Sequence, residues 1–297
     1  MTATSSLLPD TTVSPEWLAE HLNDDRLRVV DIRGYVRTQD LGGGRQSAEY
    51  VGAGDEYDAG HIPGAVYVDW TTDIVDPDAT VKAQIAAPER FATAMAERGI
   101  GDDSEVVIVD HTGGHFATRL WWALRYYGHR AAAVLDGGHQ QWEKEGHPLK
   151  TEVQMPEPAT FTPRIDPDLR VEADEVASLI GQTDTLLVDA RDSGQYSGAT
   201  VRGPRGGHIP SAVNISAKSL VNDDGTWKSV AALKRILAEG GVRPDQRVVA
   251  YCNGGVTATA VLFALDRVGH TAWANYDGSW NEWGERTDLL AATGSDA

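Results

Sequence analysis

The sequence is poor in sulfur and in positive charge. Its 297 residues include one cysteine, so no disulfide can form within the chain. The nine histidines form no cluster with the cysteine at zinc-binding spacing. Lys and Arg number 26 against 44 Asp and Glu, giving a formal charge of −18, which opposes binding to nucleic acid or anionic lipid. A disulfide scaffold is excluded, and neither a metal site nor a phosphate-rich partner is expected.

Long apolar runs are also absent from the sequence. No window approaches the roughly 18 uncharged apolar residues of a membrane span, and the first residues lack the basic and apolar stretches of a secretion signal. We therefore expect a cytoplasmic protein without a membrane partner. The 41% of hydrophobic residues are enough for packed cores, and the length suits two domains.

The second half of the chain repeats the first. Four segments recur in the same order: RVVDIR (28–33) as LLVDAR (186–191), GHIPGAVYV (60–68) as GHIPSAVNI (207–215), EVVIVD (105–110) as RVVAYC (247–252), and VLDGGHQQW (134–142) as NYDGSWNEW (275–283). Matched segments lie 141 to 158 residues apart, which indicates a duplicated domain. We predict domains at 1–150 and 169–297, joined by a proline-containing linker at 151–168.

Each half alternates short β-branched runs with helix-like runs, as in VVIVD and ATRLWWALRYYG. Near-continuous apolar strands separated by helices predict an α/β fold, with a mainly parallel sheet covered by helices on both faces in each domain. The single cysteine, Cys252, then closes a central strand, and a diglycine loop leads from it into a helix.

That position favours a reactive thiol at Cys252. Ligands of parallel α/β sheets bind beyond the carboxyl ends of the strands, and a helix N-terminus can lower a thiol pKa from about 8.5 to roughly 3.5–7.5. Gly254 and Gly255 permit a tight curl in which successive N–H groups form an anion-binding nest, and Thr257 adds a hydroxyl. The alternative is a small core residue. The strand, diglycine and helix order favours the nucleophile.

The first half carries Asp110 where the second half carries Cys252, and its next residues are HTGGH instead of NGGVT. It therefore has no nucleophilic sulfur. We predict that the first domain is a scaffold that covers or shapes the site of the second.

These motifs together resemble the tandem-domain rhodanese sulfurtransferases, over about residues 13–290. The resemblance rests on VVDIR and LLVDAR, both GHIP motifs, RLWWALRYYGH, the two DG-x-x-x-x-W motifs and CNGGVTA. It implies two rhodanese-like domains and a sulfurtransferase in which Cys252 takes a sulfane sulfur from thiosulfate or 3-mercaptopyruvate. Cyanide or a thiol, including a thioredoxin-like reductant, would accept that sulfur, and no cofactor or metal is implied. The loop residues implied to bind the persulfide are Asn253, Gly254, Gly255, Val256 and Thr257.

The resemblance also implies contacts to the anionic donor. One arginine of the family pattern is replaced here by Gln195, and the second most resembles Arg205, with Arg202 close by. The loop residues after Cys252 carry no charge, which favours the 3-mercaptopyruvate branch of the family. Gly254, however, replaces the Ser/Thr that would form a relay with a first-domain histidine, for which His61 is the match here.

His61 also has a structural reading, because both halves keep the GHIP histidine while only one has the cysteine. Arg191 is a further candidate substrate contact, against the alternative that it pairs with a nearby carboxylate.

Two other functions are alternatives to sulfur transfer. Rhodanese-like phosphatases need an arginine at the position of Ala258, so phosphoryl transfer would lack its charge clamp. A persulfide carrier or regulatory sulfur-binding module, with little turnover of small donors, is the second alternative, and the loss of an arginine at Gln195 favours it.

Overall fold

The first half of the chain folds into a five-stranded parallel sheet in the order β1-β7-β6-β2-β5. The structure is a computed structural model that describes residues 6–294, so the outermost parts of both predicted domains, 1–5 and 295–297, lie outside the described residues. The elements of this half are β1 (Thr12–Val13), α1 (Pro15–His21), β2 (Leu27–Asp31), β3 (Gly34–Gly42), β4 (Arg45–Gly52), α2 (Gly54–Ala59), β5 (Val66–Tyr67), α3 (Pro88–Glu97), β6 (Glu105–Val109), α4 (His115–Tyr126), β7 (Ala132–Leu135) and α5 (Gly138–Lys144).

The second half forms a matching parallel sheet in the order β11-β9-β12-β13-β8. Residues 151–166, most of the predicted linker, contain neither helix nor strand, and a 3₁₀ turn follows at Pro167–Leu169. The later elements are β8 (Arg170–Val171), α6 (Ala173–Leu179), β9 (Thr185–Asp189), α7 (Ser193–Ser197), β10 (Val201–Arg202), β11 (Val213–Asn214), a 3₁₀ turn (Ala217–Leu220), α8 (Val230–Glu239), β12 (Arg247–Tyr251), α9 (Ala258–Arg267), β13 (Trp273–Tyr276) and α10 (Ser279–Trp283).

Both faces of each sheet are buried under helices. In β2, Val29 packs into a cluster with α1, α2 and α5, while the next residue, Val30, faces the opposite cluster with α3 and α4. Successive side chains of a strand point to opposite faces, so a strand covered on both sides needs apolar residues at nearly every position. The predicted α/β fold with two parallel sheets is confirmed.

Helix starts follow local capping chemistry. Ser14 precedes Pro15, and the Ser14 hydroxyl accepts the N–H of Trp17 at 3.1 Å. Ser229 does the same for Ala232 at the start of α8. Such caps satisfy N–H groups that have no partner inside the helix. Within residues 6–294, no helix has both the length and the apolar character needed to cross a membrane.

The two domains share one hydrophobic core, in which α4 packs against α9. At the centre of this contact the hydroxyls of Thr118 and Thr259 lie 2.9 Å apart, and both side chains are fully buried. Equivalent helices of the two halves thus meet face to face, and the loops that precede them lie on the same side of the molecule.

A third sheet, which the sequence analysis did not predict, joins the domains near these loops. Strands β3 and β4 of the first domain form an antiparallel hairpin, and β10 of the second domain pairs in parallel with β4. The N–H of Val201 donates to the Gly44 carbonyl at 2.7 Å. The hairpin therefore extends from the first domain across to the second.

Candidate active site

Cys252 directly follows β12, at the carboxyl end of the second sheet. Its side chain is 2% exposed but lines a cavity of about 470 Å³ between the domains. The Cys252 N–H donates to the Ser279 hydroxyl at 3.1 Å, and its carbonyl accepts the N–H of Trp280 at 3.1 Å. Two residues of α10 thereby fix the backbone of Cys252 at the edge of this half-open cavity.

Two glycines shape the loop after the cysteine, residues 252–257, here called the cysteine loop. Gly255 has φ +69°, and a Cβ there would lie 2.6 Å from the Asp277 carbonyl oxygen. Gly254 is packed differently, since a Cβ on it would lie 3.0 Å from Asn281 Nδ2 and 3.2 Å from both Ala83 and the Tyr50 hydroxyl. Gly255 is needed for its backbone conformation and Gly254 for close packing.

The first domain shows how a loop of this kind holds an anion. The carboxylate of Asp110, at the position of Cys252, accepts four backbone N–H groups at 2.9–3.1 Å, from Thr112, Gly114, Phe116 and Ala117. In the cysteine loop, no hydrogen bond among the described residues uses the N–H groups of residues 253–257. Within residues 6–294, the second domain therefore has loop N–H groups at residues 253–257 that no protein acceptor satisfies.

Four of the five predicted loop residues line the cavity: Asn253, Gly254, Val256 and Thr257. Gln195 lines it as well and is buried, with its amide nitrogen donating to Asp192 at 2.5 Å and its oxygen accepting from Asn253 Nδ2 at 2.9 Å. Gln195 thus connects α7 to the cysteine loop instead of offering a cation.

Arg191 lines the cavity but is held by other groups. Its guanidinium forms an ion pair with Asp189 at 2.6 Å, donates to the Gly207 carbonyl at 2.7 Å and stacks over Trp280. Burial alone would lower the pKa of Arg191, but the Asp189 carboxylate outweighs it and the pKa is raised. This geometry agrees with the alternative reading of Arg191 as a partner of a carboxylate.

Arg205 and His61 do not line this cavity. The Arg205 guanidinium donates to the carbonyls of Leu289, Trp283 and Arg286 at 2.7–2.9 Å. It therefore holds the segment that follows α10 in place. His61 is 1% exposed, stacks on Tyr57 with ring centroids 4.0 Å apart and bonds the Tyr57 carbonyl through Nδ1. Both side chains are held by backbone carbonyls away from the cysteine.

Two cations at the cavity were not among the predicted contacts. Arg202, on β10, lines it with a buried Nε that has no partner among the described residues. Burial lowers the pKa of Arg202, and the charges of Tyr50 and Cys252 act against that shift. Lys218 is exposed at the same cavity. In the sequence, the RGPR segment at 202–205 indicated a cation near the site, but it did not show which of its two arginines faces the cysteine.

First-domain side chains form the opposite wall, among them Tyr50, Trp70 and His115. The Tyr50 hydroxyl accepts from Asn281 Nδ2 at 3.1 Å, and burial raises the pKa of Tyr50. Burial lowers the pKa of His115, whose Nε2 has no partner within residues 6–294. The sequence offered little signal for these residues, because only the packing of the domains brings them to the cysteine.

Comparisons with known proteins agree with the duplicated fold. The family model described as "Rhodanese-like domain" matches twice, at residues 14–145 and 172–286. A thiosulfate sulfurtransferase of Cricetulus griseus is 34% identical over 281 residues, which cover 91% of each chain. The "Sulfur carrier protein TtuD" of Thermus thermophilus is 33% identical over 301 residues, covering 97% of this chain and 98% of that protein.

A solved structure is similar over nearly the same length. SseA from Escherichia coli, described with the 3-mercaptopyruvate sulfotransferases, superposes with a TM-score of 0.80 at 30% identity and covers 91% of this chain and 98% of its own. Two family matches, close relatives and the shared fold lead to one conclusion: this chain belongs to the rhodanese family and is a sulfurtransferase with two tandem rhodanese domains.

Proposed function

We propose that the protein moves a sulfane sulfur from thiosulfate or 3-mercaptopyruvate, through a persulfide on Cys252, to cyanide or a thiol. With thiosulfate, the Cys252 thiolate attacks the outer sulfur, the S–S bond breaks and sulfite leaves. With 3-mercaptopyruvate, the thiolate attacks the thiol sulfur, the C–S bond breaks, and the enolate of pyruvate leaves and takes up the proton that the thiol loses. The acceptor then attacks the outer sulfur of the persulfide, and Cys252 leaves as a thiolate. Neither step needs an external oxidant or reductant.

One observation carries this proposal. Cys252 lines the cavity between the domains beside loop N–H groups that have no acceptor among the described residues, whereas the corresponding loop of the first domain uses its N–H groups to hold the Asp110 carboxylate. Preorganised N–H donors stabilise negative charge that develops during a reaction, and an N–H donor of this kind is typically worth about 10²–10³ in rate. The outer sulfur of a persulfide carries such a charge.

Arg202 and Lys218 are the cations that we propose for binding the donor's anionic group. Arg191 is neutralised by Asp189, and the Arg205 guanidinium is bonded to three carbonyls. Gln195 is a neutral neighbour that cannot replace a bidentate guanidinium. Among residues 6–294, Arg202 is the one arginine at the cavity that no carboxylate or carbonyl holds, and we assign it the place of the pair of arginines that the family pattern implies. Arg205 and His61 have structural roles.

A persulfide carrier is the second candidate. It is favoured by the similarity along 97% of the chain to a protein named a sulfur carrier, and by the neutral Gln195 at the cavity. In this case Cys252 would pass its sulfur to a protein thiol, including that of a thioredoxin-like partner. A cytoplasmic location stays a prediction of the sequence.

Turnover separates the two candidates. The purified protein is incubated with thiosulfate or 3-mercaptopyruvate plus cyanide, thiocyanate is followed, and Cys252→Ser is the control. Mass spectrometry after donor treatment is expected to show one added sulfur on Cys252, removable by cyanide. Turnover above that of Cys252→Ser supports the enzyme; persulfide without such turnover with either donor supports the carrier. Absence of sulfur on Cys252 contradicts both.

A further inference from the structure

An arginine of the first domain reaches the cysteine loop of the second. Arg119, on α4, is 1% exposed. Its Nη1 donates to Asp277 at 2.6 Å and to the Gly255 carbonyl at 3.1 Å, and its Nη2 donates to the Ala83 carbonyl at 2.9 Å. The guanidinium also lies over Trp122, 4.6 Å from the ring centroid. Three acceptors from three chain segments thus converge on one planar cation.

The contact with the Gly255 carbonyl fixes the next N–H group. A trans peptide is planar, with its C=O and N–H pointing in opposite directions, and no peptide bond of the described residues is cis. When Arg119 holds the Gly255 oxygen on one side, the Val256 N–H must point to the other side. Val256 lines the cavity with Cys252, and its N–H has no acceptor among the described residues.

Asn275 acts on the same carbonyl from within the second domain. Its Nδ2 donates to the Gly255 oxygen at 3.0 Å. The side chain is fully buried, and its Oδ1 has no partner in the described part of the chain. Leaving a buried acceptor unsatisfied is unfavourable. The contact made by its amide nitrogen is therefore the evident reason for an asparagine in the middle of β13.

Asp277 keeps the guanidinium in place. Its Oδ1 accepts from Arg119, and its Oδ2 accepts the N–H of Ile85 at 2.8 Å, so two segments of the first domain bind this one carboxylate of the second. The neighbouring Ala83 has φ +69°, an unfavourable conformation for a residue with a side chain. This strained segment presents its carbonyl to Arg119 and its methyl group to Gly254.

We propose that Arg119 is a positioning residue for sulfur transfer: from the domain without a cysteine, it holds the Gly255 carbonyl so that the Val256 N–H faces the outer sulfur on Cys252. The inference rests on the proposed function for the identity of that sulfur. It assigns the first domain a specific task beyond covering the site.

The chain offers a matched control on the same helix. Arg125 also crosses between the domains, forms an ion pair with Asp266 at 3.2 Å and lies over Trp121 at 4.5 Å. It makes no hydrogen bond to the cysteine loop within residues 6–294. Arg119→Lys and Arg125→Lys therefore each remove a guanidinium from an ion pair with the second domain, and only Arg119→Lys also removes the hydrogen bond to the Gly255 carbonyl.

The test uses the single cysteine as its own reporter. The rate of Cys252 alkylation by iodoacetamide is measured against pH, and kcat and KM are measured with each donor plus cyanide. For Arg119→Lys we expect the thiolate midpoint to rise by roughly one pH unit, because a hydrogen bond to the charged form is weakened. We also expect kcat to fall about 10- to 100-fold with a smaller change in KM. Arg125→Lys is expected to change neither the midpoint nor kcat by more than about twofold.

Asn275→Ala, made in parallel, removes the other donor to the Gly255 carbonyl and is expected to shift the midpoint in the same direction. It decides the question if Arg119→Lys does not fold by circular dichroism. A folded Arg119→Lys protein that matches Arg125→Lys in midpoint and kcat overturns the proposal. If Arg119→Lys does not fold, an unshifted midpoint in Asn275→Ala overturns it. The alkylation midpoint can be measured without a sulfur donor, so the test of Arg119 does not depend on persulfide formation. A wild-type protein that forms no persulfide would refute the proposed function and not the role of Arg119.

Discussion

Replacing Gly255 by alanine is the sharpest perturbation of the cysteine loop. The residue has φ +69°, and the added Cβ would lie 2.6 Å from the Asp277 carbonyl oxygen and 2.9 Å from its Oδ1. The left-handed conformation alone costs about 1–2 kcal/mol for a residue with a side chain. The contact with backbone at the end of β13 adds about 1–3 kcal/mol of strain. We expect Gly255→Ala to lose about 2–5 kcal/mol of unfolding free energy.

The same substitution should lower activity, because relief of the clash moves the Gly255 peptide that Arg119 and Asn275 hold. Misdirecting one N–H donor predicts a kcat reduced by about 10²–10³. Gly269→Ala is the control: Gly269 has φ +84° at the end of α9, and no atom of residues 6–294 lies within 4 Å of an added Cβ. It should lose only about 1–2 kcal/mol and keep wild-type kcat.

Urea unfolding and thiocyanate formation are measured for both variants. The reasoning is refuted if Gly255→Ala loses no more stability than Gly269→Ala and keeps a wild-type kcat. Such a result would mean that the loop accommodates a side chain, and that the orientation of its N–H groups does not govern sulfur transfer.

Four further outcomes are expected. Arg202→Ala should raise KM for thiosulfate about 10-fold or more in steady-state assays with little change in kcat, since a guanidinium contact to an anion is lost; an unchanged KM contradicts its role. Tyr50→Phe should lower kcat/KM by about 3- to 10-fold, because one neutral hydrogen bond at the cavity is worth about 0.5–1.5 kcal/mol. Asp110→Ala should cost about 2–5 kcal/mol in urea unfolding, because four N–H groups lose their acceptor, yet Cys252 should still gain sulfur by mass spectrometry. Burial lowers the pKa of His115, so the unfolded chain binds more protons than the folded protein near this pKa. The unfolding free energy should therefore fall as the pH drops below about 6.5, and His115→Gln should make this fall smaller between about pH 7.5 and 5.5.

Local patterns in the sequence determined much of the fold. The repeated motifs gave two α/β domains, and the β-branched runs gave the parallel strands, because a strand buried on both faces needs apolar residues at nearly every position. The place of Cys252 followed from the same logic. Its strand, diglycine and helix are contiguous in the chain, so their order alone puts the thiol at the carboxyl end of β12.

Contacts between distant segments were decided only by the tertiary structure. Nothing local distinguishes Arg202 from Arg205. Arg202 faces the cavity because β10 pairs with the first-domain hairpin. Arg205 does not, because its guanidinium donates to three carbonyls near residue 286. The direction of a long side chain depends on which acceptors the fold brings near it, and those acceptors lie about 80 residues along the chain. For the same reason the hold of Arg119 on Gly255, 136 residues away, could be found only in the folded molecule.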